Sequence, residues 1–331
     1  MIAYSILNVV IAAAFTADIT YLTDKKKRTF WILFPFILLI SWPRTILYPV
    51  LIYSATLLWI WQAINIHRKL TWRSAAICFA LALGITAFGM WKFDQRTKTE
   101  YTVMSKDNTT AKIVFLSDMH YPNGMDDEEL DELIGELAAE KPDMYLLGGD
   151  IVDESSSSED MGEVFSKLKS LETTAPVFYI YGNHDSKDGA EKLEDALDQS
   201  GLEVLADESV QVGDVTVIGR DDRSHNKERK EVVDLNVPDT FSILVDHQPV
   251  EADEVSAAGA DLMLSGHTHN GQLWPFGEFI NFTPKYDQVA GKWWVGDMVE
   301  ITSSGIAGWG FPVRTSDDSE YVVVNIVPLK R

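Results

Sequence analysis

The sequence predicts an α/β domain built in layers and preceded by a membrane-inserted helical region. Three observations predict it. From residue 112 onward, short apolar strands alternate with amphipathic helices, the pattern of a layered α/β core. Before residue 95, four apolar runs follow one another almost without acidic residues. The charge divides at the same place: residues 1–99 hold 11 Lys/Arg and 3 Asp/Glu, net +8, whereas residues 100–331 hold 17 and 47, net −30. So acidic a body lacks the basic face that displaces counterions from a phosphate backbone, which argues against nucleic acid as a partner. The lone Cys78 excludes an intrachain disulfide and any cysteine-based zinc site. Its apolar neighbours mark it as a buried structural thiol.

The apolar runs are Ile2–Leu22, Phe30–Ser41, Ile46–Ile66 and Ser74–Phe93. About 20 apolar residues span a bilayer as a helix, and all but the second run reach that length. Met1 to Asn8 carries no charge, which speaks against a cleaved signal peptide. Two basic clusters, Lys25-Lys26-Lys27-Arg28 and His67-Arg68-Lys69 with Arg73, mark cytoplasmic ends. Between them the chain crosses twice or dips and returns, and Ser-Trp-Pro-Arg-Thr at 41–45 is a natural turn. The expectation is a transmembrane region over residues 1–93 with four helices and the N-terminus outside. That makes a multi-pass cell-membrane protein with an extracytoplasmic body; three spans would leave the body in the cytoplasm. Residues 94–111 read as a linker and edge strand, and 112–331 as the folded domain.

Within that domain, strands are expected at Lys112–Ser117, Asp143–Gly148, Val177–Tyr181, Phe241–Val245 and Asp261–Ser265, with shorter ones near 203–205, 209–212 and 215–218. Met298–Ser303 and Tyr321–Val327 read as further strands. Helices are expected over Asp126–Glu140, Glu159–Leu171, Gly189–Gln199 and Val250–Ala258. Asp126 with Glu129 three residues on has the capping-box spacing. Several later strands have no helix between them, so part of the sheet structure is antiparallel.

The strand ends carry the chemistry. They bear Asp118 and His120, Gly149-Asp150 with Asp153, Gly182-Asn183-His184-Asp185, His247, and Gly266-His267-Thr268-His269. Ligands of α/β sheets bind at the carboxyl ends of strands, and here each such end offers a metal-capable side chain. Five of the seven histidines fall in this set. The other two, His67 and His225, read as exposed surface residues. Carboxylates, imidazoles and one amide suit a borderline transition metal such as Mn, Fe or Zn rather than calcium. Seven groups exceed one tetrahedral ion and suit two ions sharing an aspartate, about 3.5–4 Å apart, with a hydroxide between them.

The five segments, in this order, resemble the motif series of the calcineurin-like metallophosphoesterase family: D-x-H, G-D-x-x-D, G-N-H-D/E, H and G-H-x-H. Ser265-Gly266-His267-Thr268-His269-Asn270-Gly271-Gln272 is similar to a stretch of the YkuE-like membrane-anchored subgroup. Asn270 stands where that subgroup has glycine, and Asn tolerates a left-handed backbone better than most residues. Gly219-Arg220-Asp221-Asp222 and the 304–314 segment also resemble the subgroup. The resemblance covers about 112–328 and implies a four-layer mixed β-sandwich flanked by helices. It implies that Asp118, His120 and His269 bind one divalent metal, that Asn183, His247 and His267 bind a second, and that Asp150 bridges them. It further implies that His184 faces the phosphate and assists the leaving oxygen, with Asp185 orienting it. Asp153 is left between a loop carboxylate and support for a metal-binding histidine.

The function expected is a membrane-anchored, dinuclear metal-dependent phosphoesterase that hydrolyses phosphate ester or pyrophosphate bonds through the metal-bridging hydroxide. Relatives of the subgroup include enzymes similar to UDP-diacylglucosamine hydrolases, so the resemblance implies a lipid-linked phosphate or pyrophosphate as substrate. Leu273-Trp274-Pro275-Phe276 and Trp293-Trp294 are then candidate lipid contacts, or ordinary packing. The alternatives are an exported general phosphatase for soluble phosphoesters, a cytoplasmic phosphodiesterase, and a non-catalytic metal-binding scaffold. Arg220 and Arg314 are candidates for phosphate binding or for structural ion pairs.

Overall fold

The computed structural model describes residues 47–64, 71–185, 190–281 and 285–329. The first two apolar runs, the 25–28 basic cluster and His67-Arg68-Lys69 lie outside the described residues. The chain divides into two compact units. One holds the N-terminal helices with Gly310–Thr315, and the other holds Asp94–Trp309 with the segment from Ser316 onward.

In the first unit, α1 (Leu47–Ile64) and α2 (Trp72–Phe93) pair. The start of α2 is closed by reciprocal bonds, Ser74 N donating to Thr71 Oγ1 at 3.2 Å and Thr71 N to Ser74 Oγ at 3.0 Å. These satisfy amides that a helix N-terminus leaves open. Cys78 is buried against Leu58, as its apolar neighbours predict. The 22 residues of α2 have a mean hydropathy of 1.8 over their most apolar window, and at 1.5 Å per residue they span about 33 Å. Among the described residues, α2 alone is long and apolar enough to cross a bilayer. It leaves Ile77, Leu81, Phe88 and Trp91 exposed.

The second unit carries two six-stranded mixed sheets. The first contains β1 (Arg96–Ser105), β2 (Ala111–Leu116), β3 (Met144–Leu147), β4 (Val177–Tyr179), β5 (Glu203–Val204) and β12 (Ser319–Pro328). Its order is β1-β12-β2-β3-β4-β5. Strands β2 to β5 run parallel, β12 is antiparallel to β2, and β1 is parallel to β12. The second sheet contains β6 (Glu208–Val212), β7 (Val215–Gly219), β8 (Phe241–Val245), β9 (Leu262–Ser265), β10 (Gly291–Val295) and β11 (Met298–Thr302). Its order is β10-β11-β9-β8-β7-β6, with only the edge strands β10 and β6 antiparallel.

Side-chain alternation builds the layers. Ile113, Phe115 and Leu146 of the first sheet meet Val217, Ile243, Leu264 and Ile301 of the second in a common core. On the outer face of the first sheet, Val114, Leu116, Tyr145 and Leu147 pack on α3 (Asp127–Glu140), α4 (Ser158–Lys169) and α5 (Ala190–Ser200). On the outer face of the second, Ile218, Leu244, Met263 and Met298 pack on α6 (Ala252–Ala257). The result is helix, sheet, sheet, helix. The inner strands are buried on both faces, which is why Phe241–Val245 reads as an unbroken apolar run rather than an alternating one. The capping box expected at Asp126 is present, with Asp126 Oδ1 accepting from Glu129 N and Glu129 Oε2 from Asp126 N, both at 2.9 Å.

Strand β10 has no counterpart among the sequence expectations. It is an edge strand whose Trp293 and Trp294 are half exposed, so no buried face impresses a period on the sequence.

Glu300 on β11 sits under α6 with no exposed surface, and among the described residues neither carboxylate oxygen has a hydrogen-bond partner. Burial, reinforced by Asp287 and Asp253, raises its pKa to about 7. A carboxyl raised in the folded state contributes stability at low pH that is lost as pH climbs from its unfolded value toward 7. Glu300→Gln is therefore expected to flatten the fall in melting temperature between about pH 5 and pH 8. Thermal unfolding at the two pH values checks it, and an unchanged slope would count against the buried-charge account.

Candidate metal centre

The carboxyl ends of β2, β3, β4, β8 and β9 converge in the second unit. The segment after β2 places Asp118 and His120, and the segment after β9 brings His269 to them; one ligand atom from each lies within 4.8 Å of the others. His120 Nε2 and His269 Nε2 are 3.2 Å apart, and Asp118 Oδ1 is 3.6 Å from His269 Nε2. Asp150 after β3, His247 after β8 and His267 form a second triad within the same limit. His247 Nε2 lies 3.1 Å from Asp150 Oδ2, 3.2 Å from His267 Nδ1 and 3.2 Å from Asn183 Oδ1. Asp150 Oδ2 is also 3.9 Å from His120 Nε2, so this one carboxylate faces both triads.

The backbone is bent to achieve this. Asp118, His120, Asp150, His267 and His269 all have φ between 49° and 72°, a left-handed conformation costing about 1–3 kcal/mol per non-glycine residue. Asn270 shares it at φ 46°, the conformation its residue type tolerates. Close packing excludes side chains beside the ligands. A Cβ on Gly182 would lie 2.2 Å from Asp150 N, and one on Gly266 would lie 2.3 Å from Asp118 Oδ2. Gly266→Ala is expected to displace Asp118 and weaken metal binding at the first triad by about 10–100-fold, as loss of a supporting contact does. Calorimetric metal titration reads this directly, and an unaltered isotherm would show that the loop yields.

Hydrogen bonds select the imidazole nitrogens that face the pockets. His247 Nδ1–H donates to the Gly148 carbonyl at 2.8 Å and His269 Nδ1–H to that of Ala307 at 3.2 Å, leaving Nε2 lone pairs inward. His267 is reversed: its Nε2 meets the Tyr286 hydroxyl at 2.7 Å while Nδ1 faces the pocket. His120 Nδ1 is buried without a partner among the described residues.

Electrostatics follow from burial. Burial, helped by the Asp150 charge, pushes Asp118 up to about 6, and burial pushes His120 down to about 4 and His267 well below its usual range. Asp150 goes the other way. Burial raises it, but the charge and hydrogen bond of His247, with His184 and His120, outweigh this and hold it well below the carboxylate range. Burial lowers His247, but the Asp150 charge and hydrogen bond outweigh this and raise it well above its usual range. A dense set of buried carboxylate oxygens and imidazole nitrogens fits two divalent cations, whose binding would release the proton His247 holds.

Around this centre the structure departs from several expectations. Asp185, expected to orient His184, is engaged by the backbone. Its carboxylate accepts from the backbone N–H of Asp150 at 2.7 Å, Val152 at 3.0 Å and Gly182 at 2.7 Å. The carboxylate beside His184 Nδ1 is Glu154, at 3.2 Å. The reason is geometric: in the turn after β4, the Asp185 side chain folds back to close three buried amides. The His184 ring stands edge-on to His120 at 5.3 Å between centroids and 5.2 Å from Trp309. Asp153 is a loop carboxylate, accepting from Ser155 N at 2.7 Å and Asn123 Nδ2 at 3.1 Å. Arg220 is fully buried in ion pairs with Glu251 at 2.5 Å and Asp246 at 3.5 Å, a structural position rather than a phosphate contact. His225 is not an exposed surface histidine, since its ring stacks on Tyr181 at 3.8 Å. Glu154 and Tyr286 join the site without standing out in sequence, and Trp309 joins it from the 304–314 segment. Only the place of Glu154, directly after the G-D-x-x-D segment, hints at it.

Two mixed sheets whose strand ends assemble paired ligand triads define a metal-binding α/β sandwich. Its residues 111–271 match the family model described as Calcineurin-like phosphoesterase. The chain is similar to an uncharacterized metallophosphoesterase of Helicobacter pylori, 30% identical over 233 residues that make up 68% of this chain and 62% of the relative. It is similar to Phosphodiesterase YaeI of Escherichia coli, 31% identical over 179 residues, 51% of this chain and 64% of that one. It is also similar to the uncharacterized metallophosphoesterase YkuE of Bacillus subtilis, 28% identical over 226 residues, 65% and 78% of the two chains. The match spans about three fifths of the Helicobacter pylori protein's length.

Proposed function

We propose that this protein is a membrane-anchored phosphoesterase whose body holds two divalent metal ions. Asp118, His120 and His269 would hold one and Asn183, His247 and His267 the other, with Asp150 facing both. The observation that carries the reading is the double triad that shares one carboxylate, with His184 beside it. When bound, the ions supply the Lewis acidity that neutralises phosphoryl oxygens and activates water. The chain's own residues do the rest. His184 faces the substrate side and gives a proton to the departing ester oxygen. Glu154 accepts from His184 Nδ1–H, which fixes the ring and stabilises its charged form. Asp185 fixes the turn that carries Asp150, and Trp309 flanks the His184 ring.

Membrane anchoring is supported by α2 and by the apolar runs ahead of it. The positive-inside pattern supports four spans and an extracytoplasmic body, and the similarity to YkuE favours that subgroup. A lipid-linked phosphoester is the favoured substrate, because Trp274, five residues after His269, is 63% exposed in the loop leaving the centre. A soluble phosphoester is the second reading, favoured by the body's acidity, which repels anionic head groups at short range.

The test uses the full chain in detergent with p-nitrophenyl phosphate and bis-p-nitrophenyl phosphate, with Mn²⁺ or Zn²⁺ and with EDTA. Metal-dependent turnover that EDTA abolishes is expected. A folded, metal-loaded protein that hydrolyses neither ester nor a lipid pyrophosphate would overturn the reading in favour of a scaffold. A reporter fused to the C-terminus decides the side of the membrane.

A further inference from the structure

His225 reads from sequence as a surface residue, yet it is held from three sides. Its ring lies on Tyr181 at 3.8 Å and 14° between planes. Its Nδ1 is 2.7 Å from Asp221 Oδ1 and its Nε2 is 3.2 Å from Glu194 Oε1 on α5. The Tyr181 hydroxyl donates to the same Glu194 oxygen at 2.7 Å. A neutral imidazole has one N–H and serves only one carboxylate, whereas the imidazolium serves both. The charged and titratable groups facing His225 are Asp221 on its own loop, Glu194 on α5 and Tyr181 after β4. Hydrogen bonding to Asp221, which outweighs burial, raises its pKa.

The contacts lead to the second ligand set from two directions. Tyr181 is two residues before Asn183. On the other side, Asp221 and Asp222 are tied to the loop bearing His247. Arg229 Nη1 donates to the Asp221 carbonyl and to Asp246 Oδ2, both at 3.0 Å, and Gln248 Nε2 donates to Asp222 Oδ2 at 2.7 Å. Asp246 and Gln248 flank His247. The loops that present Asn183 and His247 are thus joined through His225.

We propose that the His225 imidazolium is a positioning residue that clasps the Tyr181 turn to the 221–225 loop and sets the spacing of Asn183 and His247 for the second metal. This rests on the metal-centre reading above. His225 reaches no ligand itself and is not a catalytic residue. Without its charge, Asp221 and Glu194 repel, and the clasp opens.

The test is calorimetric Mn²⁺ titration of the full chain and of its H225Q and H225A variants, near neutrality and at about pH 9. The variants are expected to bind the first equivalent like the parent and the second about 10–100-fold more weakly. At the higher pH the parent's advantage over H225Q is expected to shrink, because a deprotonated His225 serves one carboxylate only. E194Q, at a half-exposed position, removes one of the two charges and is expected to weaken the second equivalent by less; it stands in if the His225 variants unfold. Second equivalents that bind equally, both equivalents weakened together, or a gap that ignores pH would each overturn the clasp. A parent that binds no metal would instead overturn the metal-centre reading.

Discussion

Asp150→Ala is expected to abolish turnover and to leave the protein unable to hold two metal ions. Asp150 faces both triads, with Oδ2 3.1 Å from His247 Nε2 and 3.9 Å from His120 Nε2. Its Oδ1 also accepts from His184 N at 2.7 Å, so the substitution loosens the turn that carries His184. Metal ions contribute several kcal/mol of transition-state stabilisation. At about 1.4 kcal/mol per factor of ten, a loss of at least about a thousandfold in kcat/KM follows. Metal analysis of the purified variant should find one equivalent or fewer. Two equivalents retained with full activity would show that Asp150 bridges nothing.

The second large effect separates three neighbouring residues. His184→Ala should retain both metals and lose about 10²–10⁴-fold in kcat, the range of a positioned general acid. Glu154→Gln should lose about tenfold, because the amide can still meet His184 Nδ1 but no longer offsets a charged ring. The loss should be smallest with substrates whose leaving group needs no proton, such as p-nitrophenol. Asp185→Asn should act differently. It puts an amide where three backbone N–H groups at 2.7–3.0 Å need acceptors, so melting temperature and metal content should fall along with activity. Were Asp185→Asn to shift only the pH profile while Glu154→Gln did nothing, Asp185 would be the orienting carboxylate after all.

The G-D-x-x-D and G-N-H-D segments show why these assignments separate. Metal-capable residues at strand ends are legible because the chemistry needs particular side chains at particular chain positions, and the strand–helix rhythm delivers them to one rim. Which carboxylate touches which imidazole is not legible. Asp185 and Glu154 are both near His184 in sequence or motif, and only the direction of a turn decides between them. Tyr286 arrives from a segment about 100 residues beyond Asn183 with no period or motif to flag it, and Trp309 from the 304–314 segment, whose resemblance gave it no place at the site. His225 lies in a polar stretch that reads as solvent, and its burial depends on Tyr181 and Glu194 folding over it.

The layered core was legible for the same reason as the ligands. Runs such as Lys112–Ser117 and Phe241–Val245 are apolar because strands between two layers bury both faces, and Asp126 announces its helix through a local capping box. Strand β10 was not legible, because an exposed edge strand is stabilised by its neighbour β11 rather than by its own pattern. The layered α/β class, the apolar N-terminal region and the residues able to hold metal can be read from the chain alone, since each depends on side-chain identity and short-range spacing. That Asp150 faces both triads, that Glu154 meets His184 Nδ1 and that His225 lies on Tyr181 between Asp221 and Glu194 emerges only once the chain is folded. These depend on left-handed turns and on loops from distant strands packing to within hydrogen-bond distance, where a few degrees of backbone rotation choose the partner.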